Sequence, residues 1–272
     1  MIRIATPADL PRIVALFGKS NDAPYDLAKV AEEKCFGAGV NGDPNVSVFG
    51  DFAGVAVTCG KSLRILAVDR NQRWRGVGSA LLRDAVSRGA RVVAAEAGNY
   101  FTPGIVTTDT PAIDFFTKRG FRETANTSNL VADLGIGSRE SGVGVNRVTP
   151  ETRDRILTFI EKEFGRIWRF EASNAGDNLF YVEVDGNIAG FAAHDANNRG
   201  LGFFGPTGVA RQHRGRGLGA ALLRASLADL RRLGYERAII PWTDALDFYR
   251  KACGATEAAR FVTLSRDVDS AP

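Results

Sequence analysis

The sequence has few of the residues that bind metals or cross-link a fold. Its 272 residues include only three cysteines and two histidines, and Cys35, Cys59 and Cys253 lie far apart without a Cys-x-x-Cys pair. A zinc site needs about four nitrogen, sulfur or oxygen ligands, commonly at short spacings, so we expect no metal. Disulfide frameworks need paired cysteines, so we expect buried, reduced thiols.

Long apolar segments are also lacking. No run approaches the ~18 apolar residues of a membrane span. The opening stretch MIRIATPADLPRIVALF carries Pro7, Asp9 and Pro11 where a secretion signal would be apolar. We therefore expect a cytoplasmic protein with no membrane partner.

The charge balance is mildly basic, with a net charge of +4 and a pI near 9.1. This favours anionic ligands. The basic residues are spread along the chain except at two glycine-arginine turns, so we expect no nucleic-acid partner. A length of 272 residues with 44% apolar and 24% charged residues is typical of globular proteins and suits two domains. The oligomeric state stays open.

The chain contains an internal repeat. IRIATPADLPRIVALF and VNRVTPETRDRILTFI each place a short strand before Thr-Pro and then an apolar helical pattern, with Thr6 and Thr149 as predicted N-caps at an offset of 143. VSVFGDFAGVAV and LFYVEVDGNIAGFAA both read as hairpins, the second turning at Asp185-Gly186. Two further pairs of segments repeat. RWRGVGSALL matches RGRGLGAALL at an offset of 141, and AIDFFTKRGF matches ALDFYRKACGA at an offset of 133. The shared order and spacing indicate a duplication.

The repeat predicts the domain organisation. The segment GIGSRESGVGVN, residues 135–146, is rich in Gly and Ser and has no periodic pattern of apolar residues, which is typical of a linker. We expect one domain at 1–136, a linker at 137–146 and a second domain at 147–272. Each copy reads as strand, helix, hairpin, strand, turn, helix, strand, helix and strand, which predicts an α/β fold.

The turn RGRGLG carries the main functional signal. It joins a strand predicted to end near Val209 to a helix with Leu222, Leu223, Leu227 and Leu230 on one face. A helix N-terminus presents unpaired N–H groups, and glycine lets an anion reach them. No Lys-Ser or Lys-Thr follows, and the spacing is not GxGxxG, so neither common phosphate loop fits. A phosphate or diphosphate is the expected ligand.

Arg214, Gly217 and Gly219 give the spacing RxxGxG, and here the sequence resembles the GNAT acyltransferase superfamily and its acetyl-CoA motif. The late element ALDFYRKACGA is also similar to the family's, through Ala245, Phe248, Tyr249, Lys251 and Gly254. The resemblance covers nearly all of both copies. It implies two tandem GNAT domains, each a mostly antiparallel sheet flanked by helices, with acetyl-CoA as co-substrate and a small-molecule or peptide amine as acceptor.

The resemblance also implies site residues. The diphosphate would contact Arg214, Gly215, Arg216, Gly217 and Gly219, with a backbone oxyanion donor at or near Val209. The first copy offers a second set: Val68, Arg73, Arg75, Gly76 and Gly78. The resemblance implies Tyr249 as the general acid, and the first copy has Phe116 there. Trp74 replaces Gly215, and Asp109 and Trp242 stand where many relatives have Asn.

The general base is the least defined residue. We name Glu183 on the second hairpin; His194 and Asp195 are alternatives, and all three also read as exposed strand or turn residues. No Ser-His-Asp or Cys-His grouping is visible, so direct attack of the amine on the thioester is expected. Three other hypotheses stay open: a CoA-binding regulator or scaffold, catalysis by the first domain, and an RNA-binding accessory protein.

Overall fold

A computed structural model describes residues 1–20, 24–135 and 143–267 of the chain. The chain forms two compact units. Unit 1 comprises Met1–Thr127 and the chain from Ala259 onward, and unit 2 comprises Ser128–Ala258. Each half of the sequence therefore contributes a segment to the unit built mainly by the other half.

The described part of the first half contains seven strands and four α-helices. They are β1 (Ile2–Ile4), α1 (Leu10–Ser20), α2 (Ala31–Phe36), β2 (Asn45–Phe49), β3 (Gly54–Cys59), β4 (Ser62–Val68), α3 (Val77–Ser87), β5 (Val92–Val93), β6 (Ile105–Val106), α4 (Thr110–Thr117) and β7 (Arg122–Asp133).

The described part of the second half contains six strands and four α-helices. They are β8 (Asn146–Arg147), α5 (Pro150–Phe164), α6 (Arg166–Ser173), β9 (Leu179–Val184), β10 (Asn187–His194), β11 (Phe204–Val209), α7 (Leu218–Arg232), β12 (Arg237–Thr243), α8 (Leu246–Cys253) and β13 (Thr256–Ser265).

Unit 1 is built on a sheet in the order β1-β2-β3-β4-β5-β13, with β6 also paired to β13. Among these strands, β4 and β5 pair in parallel, and the pairs β1–β2, β2–β3, β3–β4, β5–β13 and β6–β13 are antiparallel. The end of β13 is part of its core, because Phe261, Val262 and Leu264 are all at most 2% exposed. Val262 and Leu264 pack with the apolar faces of α3 and α4.

Unit 2 contains the antiparallel sheet β11-β10-β9-β8 and the antiparallel pair of β12 with residues 128–133 of β7. One face packs against α7 and α8 through a core that includes Leu222, Leu223 and Tyr249. The other face packs against α5 and α6 around Ile156 and Phe191. The predicted fold class, α/β with mostly antiparallel sheets flanked by helices, is confirmed.

Local signals in the sequence produce the expected elements. Thr149 caps α5, with Pro150 as the first helical residue and the Thr149 N–H donating to Thr152 Oγ1 at 2.9 Å. The Thr6 N–H donates likewise to Asp9 Oδ2 at 2.9 Å, although a short 3₁₀ turn precedes α1. Asp185 and Gly186 have φ values of 51° and 74°, as a type I′ hairpin turn requires.

The compact units do not follow the linear order of the repeat. Residues 128–133 precede the predicted linker yet belong to unit 2, and the chain from Ala259 onward belongs to unit 1. Residues 137–142 of the predicted linker lie outside the described residues. As a description of the sequence repeats, the domains 1–136 and 147–272 stay a prediction.

Removal of the last segment of β13 is expected to unfold unit 1, which is built mainly from the first half of the sequence. A chain ending at Ala258 loses Phe261, Val262 and Leu264, whose burial stabilises unit 1 by roughly 5 to 9 kcal/mol together, while unit 2 keeps all its segments. Amide hydrogen exchange should therefore show lost protection in β3 and α3 and retained protection in β10 and α7. A chain ending at Asp267 is the control; protected β3 amides in the shorter chain would contradict the prediction.

Candidate functional site

The glycine turn of unit 2 forms an exposed helix N-terminus. Gly215 and Gly217 have φ values of 76° and 78°, and Gly217 is the N-cap of α7. The first backbone bond of the helix runs from the Ala221 N–H to the Gly217 carbonyl at 3.1 Å, so the N–H groups of residues 218–220 precede the helical ladder. Together with the positive end of the helix dipole, they make an anion-binding surface.

The two arginines of the turn have different surroundings. The Arg214 Nε donates to the Val209 carbonyl at 3.1 Å and ties the turn to the end of β11. Arg216 is exposed, with its guanidinium 3.5 Å from His213 Nδ1. Arg214 therefore shapes the turn, while Arg216 supplies charge at its mouth.

Gly219 brings the turn close to α8. A Cβ on Gly219 would lie 3.6 Å from the Phe248 ring and 3.7 Å from Val209 Cγ2. The structure thus brings the six predicted cofactor-binding residues of unit 2 together, from Val209 through the turn to Gly219.

An opening separates β11 from β12. The two strands meet at an isolated parallel bridge between Phe203 and Ile239, where the Ile239 N–H donates to the Gly202 carbonyl at 2.9 Å. Within the described ranges no further ladder joins them. Beyond this bridge the two strands part, so one edge of β11 faces the opening.

The backbone of Val209 points into this opening. The Ala210 N–H donates to the Ala189 carbonyl at 2.9 Å, and β10 and β11 are antiparallel. Successive residues of an antiparallel strand direct their N–H and C=O groups to alternate edges, so those of Val209 face away from β10. The Val209 carbonyl accepts a hydrogen bond from Arg214 Nε, which agrees with this orientation.

Tyr249 lies buried on α8, 7% exposed, with its ring centroid 4.9 Å from that of Phe248 and 6.3 Å from that of Phe204. Burial raises the pKa of Tyr249 well above its ordinary value, with a smaller contribution from Cys253. Among the described residues, none forms a hydrogen bond with its hydroxyl group. The side chain is therefore a neutral phenol.

Glu183 is placed on the opposite face of the sheet. Its carboxylate pairs with Arg155 of α5 at 2.8 Å, whereas Tyr249 packs with α7 and α8. The structure therefore does not bring the two predicted catalytic residues together on one face. As a general base, Glu183 would act on an acceptor that enters from the face of the sheet covered by α5.

His194 and Asp195 are buried, at 0% and 8% exposed, so their expected exposure on the strand and turn is wrong. The His194 Nε2 lies 3.0 Å from Asp229 of α7, which also pairs with Arg147 at 2.5 Å and Arg232 at 2.9 Å. Burial raises the pKa of Asp229, but the hydrogen bonds to these three partners lower it by more. The net shift of the Asp229 pKa is therefore downward. His194 and Asp195 therefore lie inside the fold, with His194 bonded to Asp229.

Comparisons with known proteins give a family resemblance and a fold. The sequence profile of the acetyltransferase (GNAT) family matches residues 149–255. Residues 149–255 are therefore similar in sequence to a GNAT domain. No curated protein sequence matches the chain.

Solved structures extend the GNAT fold to the whole chain. A GCN5-related N-acetyltransferase from Sphaerobacter thermophilus is 19% identical, with a TM-score of 0.71 over 100% of this chain and 96% of that one. A tandem GNAT protein from the clavulanic acid biosynthesis pathway is 17% identical, with a TM-score of 0.67 over 100% and 99%. A glucosamine N-acetyltransferase region of a fungal multi-domain β-N-acetylglucosaminidase is 17% identical, with a TM-score of 0.79; the match covers 97% of this chain and 38% of that protein.

Unit 1 contains a turn like that of unit 2, with altered residues. Gly76 caps α3 with a φ of 83°, and a Cβ on Gly78 would lie 3.5 Å from Phe115 and 3.6 Å from Val68. The Arg73 guanidinium donates to the carbonyls of Val68, at 3.4 Å, and of Ser20, at 2.9 Å. Arg75 is exposed, as Arg216 is in unit 2. Trp74, in the place of Gly215, has a φ of 63° and is 93% exposed.

The interior of unit 1 contains a charge network that the sequence analysis missed. Arg64 of β4 and Glu96 form a two-bond ion pair of 2.6 and 2.8 Å, at 2% and 4% exposed. The Arg64 guanidinium also donates to the Lys34 carbonyl of α2 at 2.9 Å, and Lys34 Nζ donates to Asn99 Oδ1 at 2.8 Å. Charged residues within the apolar stretches LRIL and VVAAEA were the available signal, because buried charges need partners.

The described residues were expected to lack a metal site and a membrane-spanning helix. Over the described ranges there is no group of three or more His, Cys, Asp or Glu side chains arranged to hold a metal. Over the same ranges, every helix is too short or too polar to cross a membrane. Cys35 and Cys59 are buried free thiols, while Cys253 is only half-buried.

The two glycines of the turn should respond differently to alanine. Gly217→Ala places a Cβ in the left-handed region and should lower the free energy of unfolding by about 1 to 2 kcal/mol. Gly219→Ala meets only ordinary contacts and lies within a helix, so stability should be unchanged or higher by up to about 1 kcal/mol. Urea unfolding of both variants measures the difference. Equal effects would show that Gly217 does not need its left-handed conformation.

Proposed function

We propose that unit 2 is an acetyl-CoA-dependent N-acyltransferase that transfers an acetyl group to an amine within a ternary complex. One observation carries the proposal: the open N-terminus of α7, the opening beside β11 and the Tyr249 phenol all belong to this unit. The GNAT match over residues 149–255 supports the same conclusion.

The turn fits the diphosphate of coenzyme A. The N–H groups of residues 218–220 precede the helical ladder, and a Cβ built on Gly215 or Gly217 would meet no atom within 4 Å beyond the adjoining residues. The diphosphate would accept from these N–H groups, with Arg216 adding positive charge. Arg214 would act by holding the turn against Val209.

The opening beside β11 fits the thiol arm. Its edge carries the outward-facing N–H and C=O groups of Val209, and extended amide-containing ligands bind such strand edges. The Val209 N–H would donate to the thioester oxygen as that oxygen gains negative charge, which is the role of an oxyanion donor.

Tyr249 is the proposed general acid. The phenol keeps its proton, since burial raises its pKa, and it would pass that proton to the departing thiolate. The amine would attack the thioester carbon directly, without an acyl-enzyme: the carbon–nitrogen bond forms, the carbon–sulfur bond breaks, the thiolate takes the Tyr249 proton and the base takes a proton from the amine. Glu183 stays the proposed base and would act through water, because its carboxylate lies on the α5 face beside Arg155.

Unit 1 is proposed to bind coenzyme A without transferring an acyl group. Its turn at residues 73–78 has the geometry of the turn in unit 2, which favours binding. Phe116 occupies the tyrosine position and packs 5.0 Å from Phe115 and 5.5 Å from Phe121, so no phenol is available there. The Arg64–Glu96 pair also fills the side of β4 that faces α2.

Replacement of Tyr249 by Phe tests the proposed function. Turnover with acetyl-CoA should fall by about 10²- to 10⁴-fold, because a general acid contributes that much, while calorimetric affinity for coenzyme A should stay within about 2-fold. Amino sugars head the acceptor panel, since one similar structure is a glucosamine N-acetyltransferase region.

The equivalent change in unit 1, Phe116→Tyr, is the matched control and should leave turnover unchanged. Undiminished turnover in Tyr249→Phe would remove Tyr249 from the mechanism. Loss of turnover in Gly76→Val, with Gly217→Val active, would transfer the activity to unit 1.

A further inference from the structure

The end of β12 departs from regular pairing with β7. Ile240 pairs with Leu130 and Thr243 pairs with Ser128, so Pro241 and Trp242 together oppose one residue, Asn129. This is a β-bulge. Trp242 has a φ of 49°, which a bulky residue adopts only when its surroundings hold it there.

The side chain of Asn129 holds the bulge. Asn129 is 0% exposed, and its Oδ1 accepts a hydrogen bond from the Trp242 N–H at 2.9 Å. A bulge leaves a backbone group out of the regular ladder, and here the amide replaces the missing strand partner.

The bulge leads directly into α8. Thr243 Oγ1 accepts from the Ala245 N–H at 3.0 Å, and the Ala245 carbonyl accepts from the N–H groups of Phe248 and Tyr249 at 3.1 and 3.3 Å. These hydrogen bonds, together with the short backbone between Trp242 and Ala245, connect the bulge with the first turn of the helix that carries Tyr249. A shift of the bulge would move the phenol relative to the opening beside β11.

We propose that Asn129 is a positioning residue for Tyr249 in the acyl transfer of unit 2. The inference rests on the proposed function and extends it to the first half of the sequence, since residues 128–133 of β7 belong to unit 2.

Two substitutions of Asn129 in the full chain distinguish the effect of its hydrogen-bond acceptor from the effect of its size. Asn129→Leu has nearly the same size but no acceptor, and Asn129→Asp keeps an oxygen at the same place. With acetyl-CoA and an amine, Asn129→Leu should lower kcat by about 10- to 100-fold, as a displacement of about 1 Å can, with KM for acetyl-CoA changed less than about 3-fold. Asn129→Asp should recover most of this loss. Ser128→Ala on the same strand is the control and should behave as wild type.

A double-mutant cycle with Tyr249→Phe tests whether Asn129 acts through Tyr249. If it does, Asn129→Leu causes no further loss of kcat in the Tyr249→Phe background. Losses that multiply fully, or an undiminished kcat in Asn129→Leu alone, would overturn the proposal. Should Asn129→Leu fail to fold, Asn129→Ser removes the reach to Trp242 and leaves room for water.

Amide hydrogen exchange supplies a readout that does not depend on activity. Exchange at Trp242 and in the first turn of α8 should be faster in Asn129→Leu and close to wild type in Asn129→Asp and Ser128→Ala. If the wild-type chain acylates no amine, the proposed function fails, and this measurement decides the Asn129 assignment alone. Unchanged exchange at Trp242 in Asn129→Leu would overturn it.

Discussion

The separation of β11 from β12 organises unit 2. One parallel bridge, between Phe203 and Ile239, joins the two strands. Beyond it, β11 stays paired with β10, and β12 stays paired with β7. The strands can part because each retains a partner on its outer edge, so the opening costs few backbone hydrogen bonds. The α7 turn follows directly from β11, and α8 follows directly from β12.

Signals that act within a few residues predicted the structure well. The Thr149-Pro150 cap, the Asp185-Gly186 turn, the end of β11 at Val209 and the buried leucines of α7 follow from backbone preference and apolar spacing. The glycine turn belongs to this class, since a left-handed residue before a helix needs glycine. The duplication strengthened each signal by presenting it twice.

Arrangements that depend on distant segments could not be predicted. The face on which Glu183 lies depends on strand register and on Arg155 of α5. The burial of His194 depends on Asp229, 35 positions later. The exchange of segments between halves depends on pairings more than 100 residues apart, such as Val262 with Ile105. Composition and periodicity carry no information about such pairings.

The placement of the last strand has a consequence for the order of events during synthesis. The segment of β13 from Ala259 leaves the ribosome after every residue of unit 2, yet it completes unit 1. Unit 2 can therefore close first, while the earlier-made residues 1–127 wait with an unpaired β5 edge. Closing that sheet requires a contact across about 170 residues, from Val93 to Leu264, and such long-range pairings form slowly. We therefore expect unit 2 to complete its fold before unit 1, in the reverse of the order in which their residues are made.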